Sequence, residues 1–215
     1  HRMRVEVRAS SITQRVDARY DIPVGDPALE RVSLDVLNRR EVRGDLTTTE
    51  LTARPSLTQV RGRWQRVLSV GVTTTDTDAG GPIQRTNLVV PGIAYASVPE
   101  GFLGETLFTR GFYVEMFGSH SALGGDSDFL RLHVQSERVF DFADRWHLLL
   151  RGEVGASLVR NFDELPGIYR FFAGGDRSVR GFAFNALSPR TDVLQRTTGE
   201  VINKSTGGRH LLVGT

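Results

Sequence analysis

WHLLLRGEVGASL, residues 146–158, alternates with a period of two. Trp146, Leu148, Leu150, Val154, Ala156 and Leu158 fall on one parity, and His147, Arg151, Glu153 and Ser157 on the other. That is the pattern of a strand with one apolar and one polar face. Outward from it the same pattern recurs. LRLHVQSE sets Leu130, Leu132 and Val134 against Arg131, His133, Gln135 and Glu137. RVDARYDI sets Val16, Ala18, Tyr20 and Ile22 against Arg15, Asp17, Arg19 and Asp21, and RVSLDV sets Val32, Leu34 and Val36 against Arg31, Ser33 and Asp35. No segment carries a helical stripe.

Turn signals separate these runs at 23–28, 40–45, 59–63, 76–82, 98–104, 119–128 and 141–145, leaving strands of about 10–16 residues. Globular strands average about 5–6 residues, whereas a strand crossing a bilayer at a tilt needs about 9–11. The turns DFADR and QVRGR are tight, while SHSALGGDSD and the region around Arg170 are longer. Short turns on one rim and long loops on the other are expected of an outer-membrane barrel.

Two folds accept this alternation. A sandwich buries the apolar parity between sheets; a membrane barrel turns it to lipid and the charged parity into a wet lumen. Arginine facing lipid near the midplane costs about 2–4 kcal/mol, so in a barrel Arg15, Arg19, Arg131 and Arg151 must look inward. Arg110, on the parity of Phe112, Val114 and Met116, fits poorly and needs a place near an interface. Strand length favours the antiparallel transmembrane β-barrel.

Composition narrows the function classes. The chain has 215 residues, a formal charge of +2 and no cysteine, which excludes disulfides and thiolate metal sites. Lys204 is the only lysine among 27 basic residues, and arginines and acids are interspersed, so no basic stripe for nucleic acid appears. The opening HRMRVEV has no apolar h-region. No apolar run approaches the ~20 residues of a spanning helix.

RFFAGGDRSVRGF, residues 170–182, lacks the G-x-x-x-x-G-K-[ST] spacing of a phosphate loop. As a solvated hairpin tip its glycines make sense, but Phe171, Phe172, Val179 and Phe182 do not. Apolar loop residues need burial, and a large barrel offers its lumen.

The stretch FFAGGDRSVRGF followed by LSP at Leu187–Pro189 resembles the barrel-loop signature of the BamA and TamA group of bacterial outer-membrane assembly proteins. The spelling RFFAGGDRSVRG is closest to the TamA branch. The match is dense over 165–189, and YDIPVGDPALE, GRWQRVLSV and GGRHLLVGT extend it weakly along the chain. The resemblance implies a barrel of about sixteen strands behind POTRA domains, with its sixth extracellular loop folded into the lumen. Carried over by motif position, Val179, Arg180, Gly181 and Phe182 form the core of that loop. Gly174 and Gly175 make the preceding turn, followed by Asp176. Arg180 would pair with an acid on the inner wall; the family position falls just after Thr215, so within this chain Arg180 would borrow another acid, such as Glu153, or stay bonded to carbonyls and water. The loop is expected at about 162–182, with the whole of 1–215 a partial barrel of about eleven strands that lacks POTRA sequence and whose ends do not join. A smaller barrel of unusual strand number is the alternative.

The resemblance implies an assembly or translocation factor in the bacterial outer membrane, without cofactor or covalent chemistry. Its surroundings would be outer-membrane lipid, nascent outer-membrane proteins or autotransporters, and a TamB-like inner-membrane-anchored partner. A two-partner-secretion-type transporter shares the VRG[FY] loop, and a passive porin would not need it. A hydrolase would rest on His120, His133, His147 or His210, as in Ser119–His120–Ser121. His120 reads better as a solvated loop residue, and His133 and His147 as lumenal polar groups with no third ligand spaced to complete a metal site.

Overall fold

In the computed structural model, residues 1–11, 13–43, 46–78, 83–97, 111–142, 146–162, 165–175, 179, 181–182, 186–194 and 201–214 are described. The strands are β1 (Arg2–Ala9), β2 (Thr13–Pro23), β3 (Glu30–Arg43), β4 (Leu46–Arg61), β5 (Trp64–Asp78), β6 (Gln84–Ser97), β7 (Phe112–Ser119), β8 (Phe129–Phe142), β9 (Trp146–Val159), β10 (Arg190–Leu194), β11 (Val201–Ser205) and β12 (His210–Gly214). Ten of them form one antiparallel sheet in the order β1 to β9 and then β12, while β10 and β11 pair only with each other. Among the described residues the wall thus holds ten strands, close to the eleven or so expected, and the two-stranded β10–β11 hairpin stands outside it. Among the described residues β1 and β12 do not pair, so the sheet is an open meander.

Register confirms the parity. Tyr20 lies between Met3 and Leu34, and Val134 between Val114 and Val154, on one face. Arg19 opposes Asp35, and Glu137 opposes Arg151, on the other. The apolar face is the outside one: Leu132 is 43% and Val154 52% exposed, whereas Ser33 and Thr73 are each 1% exposed. Buried Ser, Thr and Glu behind exposed Leu and Val invert the soluble order. Among the described residues no second sheet covers the apolar parity, so the sandwich reading fails.

Inside, charge is matched locally. Arg15 bonds Asp17 at 2.5 Å, Arg19 bonds Asp21 at 2.9 Å, Arg39 meets Glu50 at 2.8 Å and Arg151 meets Glu137 at 2.8 Å. Such pairs let a lumenal face carry many charges without net repulsion.

Strand alternation puts the 120–128 loop and the excursion after β9 on one rim and the 24–29 and 62–63 connections on the other, so QVRGR lies opposite SHSALGGDSD and the region around Arg170, as expected. The 62–63 rim gathers the outward aromatics Tyr20, Trp64, Tyr95, Phe112, Phe140 and Trp146, with Trp64 edge-on to Phe112 at 6.1 Å. That is the composition of an interfacial belt.

β7 stops short of the far end of β6, and the 120–128 loop completes the pairing. Asp126 N–H donates to Asn87 O at 2.8 Å, and its carboxylate accepts from Asn87 N–H at 2.6 Å.

Candidate functional site in the lumen

Among the described residues the chain leaves the wall after β9, at 160, and rejoins it at His210. The expected 162–182 loop is the first half of this excursion. Its stem folds onto the inner face of the sheet. Tyr169 and Leu165 are buried against Leu88 and Val90 of β6 and Phe129 of β8, with Phe117, Val159 and Phe162 packed beside them. The Tyr169 ring lies 5.0 Å from Phe129 and 5.6 Å from Phe117. Its hydroxyl sits 3.3 Å from Thr73 Oγ1, which is 3.0 Å from Thr52 Oγ1, whose hydroxyl donates to Glu50 at 3.1 Å. Burial raises the Tyr169 hydroxyl above its ordinary pKa, so it remains a neutral hydrogen-bonding group at the end of this rail.

Phe171 forms a second buried cluster with Leu211 and Val213 of β12, flanked by Ala173 and Val179. The Arg131 guanidinium lies 4.0 Å from the centre of its ring, a cation–π geometry, and His133 is 5.9 Å away. Arg131 donates to Glu115 at 2.8 Å, and Glu115 also accepts from the Tyr113 hydroxyl at 2.6 Å. His133 stands between two acids, 3.4 Å from Glu115 and 2.8 Å from Glu153. The Phe171 backbone pairs with Gly208 through two hydrogen bonds of 3.0 and 2.8 Å, joining the outgoing and returning limbs of the excursion.

Arg170 ties the stem together. Its Nε donates to Leu165 O at 2.8 Å, Nη2 to Phe162 O at 3.0 Å and Nη1 to Thr206 O at 3.2 Å. The guanidinium also lies 4.5 Å from the Phe162 ring centre. A planar fork suits this task because it reaches three acceptors at once. Gly207, at φ +74, passes so close that a Cβ there would lie 2.8 Å from Arg170 Cβ.

Of the residues singled out from sequence, Gly174, Gly175 and Gly181 have φ of 110, 103 and 88, which favours glycine. Gly175 N–H donates to Phe182 O at 3.1 Å, closing a turn, and Val179 packs on the Phe171 cluster. Phe182 is 51% exposed, so the expectation that the loop aromatics pack on the wall holds for Phe171 and not for Phe182. Asp176, Arg177 and Arg180 lie outside the described residues, as do Arg110 and the side chain of His147. Glu153, named from sequence as an acid that Arg180 could borrow, is bonded to His133.

His120 is an exposed loop residue whose ring accepts from Ala122 N–H at 3.1 Å, and His210 is exposed. Among the described residues no three metal-ligating side chains converge. Sequence reasoning missed Arg170, Arg131 and Gly155 as parts of the loop seat. The one available signal was a glycine in mid-strand, which marks a close approach by other groups.

Two comparisons bear on this arrangement. The model of the Omp85 superfamily domain matches residues 105–215, which hold β7 to β12 and the whole excursion. A crystal structure of BamA from Haemophilus ducreyi lacking POTRA domains 1-3 superposes with a TM-score of 0.77 at 13% identity. The superposition covers 97% of this chain and 45% of that one, so the chain spans less than half the length of that neighbour.

Proposed function

Because the chain belongs to the Omp85 superfamily, we propose that it forms the wall and lumenal loop of an outer-membrane protein assembly or translocation factor that acts without covalent chemistry. The observation that carries this reading is the docked stem. Tyr169 and Phe171 fill the inner face with packed side chains that an open pore would leave out. The lipid-facing apolar parity and the aromatic belt support residence in the outer membrane. The finer reading is a TamA-like factor behind POTRA domains. Its clients would be nascent outer-membrane proteins or autotransporters, and its partner a TamB-like inner-membrane-anchored protein.

In this reading the site is Gly174, Gly175, Asp176, Val179, Arg180, Gly181 and Phe182. The glycines turn the tip, and Arg180 pairs with an acid of the inner wall. Breaking such a buried pair costs about 3–5 kcal/mol.

The test is reconstitution of the intact protein in liposomes with an unfolded outer-membrane client, scored by heat-modifiable migration of the client. The protein should accelerate client insertion, Arg180→Ala should abolish the acceleration, and Arg177→Ala should leave most of it. Export of a secreted polypeptide without client insertion would replace this reading with a secretion transporter. Ion conduction with neither activity would replace it with a porin.

A further inference from the structure

We propose that Phe171 is the positioning residue of the lumenal loop, its ring keyed into a notch that Gly155 leaves in the inner wall and that Arg131 closes. The proposal rests on the assembly reading above and adds to it the element that aims the tip.

The notch is a single missing side chain. Along the inner face of β9, Arg151, Glu153 and Ser157 each project a side chain, and Gly155 projects none. A Cβ built on Gly155 would lie 2.3 Å from Phe171 Cε1, 2.5 Å from Cζ and 2.8 Å from Cδ1. Three ring atoms inside 3.0 Å mean that the ring rests flat on bare backbone. Even alanine there cannot coexist with the ring as placed. The sides of the notch are the register partners of Gly155, His133 on β8 and Leu211 on β12. Arg131 closes it with its guanidinium on the ring, and Glu115 fixes Arg131.

The key also directs the chain beyond it. Its backbone bridge to Gly208 places the return limb two residues before β12. Past Phe172 and Ala173 come Gly174 and Gly175, both at positive φ, where the chain turns toward the tip. Val179 then packs back on the Phe171 cluster. A shifted ring would shift every later residue of the loop, whether or not Arg180 kept its own partner.

Residues 1–215 hold no cysteine, and the experiment uses the intact protein with any cysteine outside them replaced by serine. Ala173→Cys, packed beside Phe171, reports loop seating through its rate of maleimide labelling in the intact, bilayer-embedded protein, with barrel folding checked by heat-modifiable migration. Gly155→Ala, which fills the notch, should raise labelling at least tenfold. Phe171→Val, which removes all three clashing atoms, should raise it similarly by leaving the notch underfilled. The pair Gly155→Ala with Phe171→Val should return labelling to within about threefold of the parent, a rescue that general damage to the wall would not produce. Parent-like labelling of Gly155→Ala, or a double variant labelled as fast as the singles, overturns the proposal. If Gly155→Ala fails to fold, Phe171→Val, which leaves the wall intact, decides by itself, and no rise overturns the key. Client insertion by the parent is measured in parallel. A parent without that activity but with this labelling pattern overturns the assembly reading and leaves the key standing.

Discussion

Replacing Arg170 with Met keeps an unbranched apolar stem of similar reach and removes the fork. Two of its carbonyl bonds are short, at 2.8 and 3.0 Å, and the third, at 3.2 Å, is marginal. Hydrogen bonds from a charged donor contribute about 1.5–3 kcal/mol each. The side chain is only half-buried, so the low end applies to the two short ones, giving about 3 kcal/mol. Stacking on Phe162 at 4.5 Å adds about 0.5–1 kcal/mol. A loss of about 3–4 kcal/mol raises the population of the opened stem about 100- to 1,000-fold. The readout is hydrogen exchange of the Phe171 and Gly208 amides, which bond each other across the two limbs. Both should exchange faster by about that factor if the stem opens as a unit. Arg170→Lys, which keeps the charge but reaches fewer carbonyls, should fall between. Unchanged exchange of both amides in Arg170→Met would refute the view that this side chain holds the stem.

On the outer face, Val154→Arg should lower barrel stability by about 2–4 kcal/mol in urea titrations of the bilayer-embedded protein, while Gln135→Arg, on the lumenal parity, should change it by less than half as much; equal costs would refute the assignment of faces. At the 120–128 loop, the Asp128 carboxylate accepts the Ser121 N–H at 2.6 Å, and that bond holds its pKa below the ordinary value of 3.8. A lowered folded pKa means a contribution present above the ordinary value and lost as pH falls through the folded one. The Ser121 amide signal in NMR should therefore stay unchanged down to the ordinary range and move only below it. Asp128→Ala should show the shifted signal at every pH.

The strands that were plain in the sequence are those with one wet and one greasy face, such as β2, β8 and β9. β6 was harder because Leu88 and Val90 are apolar on the lumenal parity, next to outward Val89 and Pro91. Its inner face is greasy because the loop stem covers it, a tertiary fact that alternation along one strand cannot carry. The β10–β11 hairpin was illegible for a related reason: its strands are five residues each and pair with each other, so no long alternation marks them. The lumenal loop was legible through its aromatics and glycines, but its seat was not. Arg131 and Gly155 read as ordinary lumenal positions until the ring of Phe171, from beyond the end of β9, rests between them. Tyr169 stands just before the motif and finds its partners through burial, not spacing.

Thr73 and Tyr169 touch across 96 positions of chain. Until residues 165–171 have been made and delivered, Leu88, Val90, Phe117 and Phe129 have no cover on the inner side of the wall, while the outer side is already apolar. A nascent chain that stops before residue 160 is therefore sticky on both faces of its sheet. Contacts of such long range form slowly, and the species that wait for them aggregate. The placement of one tyrosine thus leaves the first nine strands exposed to aggregation until the loop that carries it has arrived.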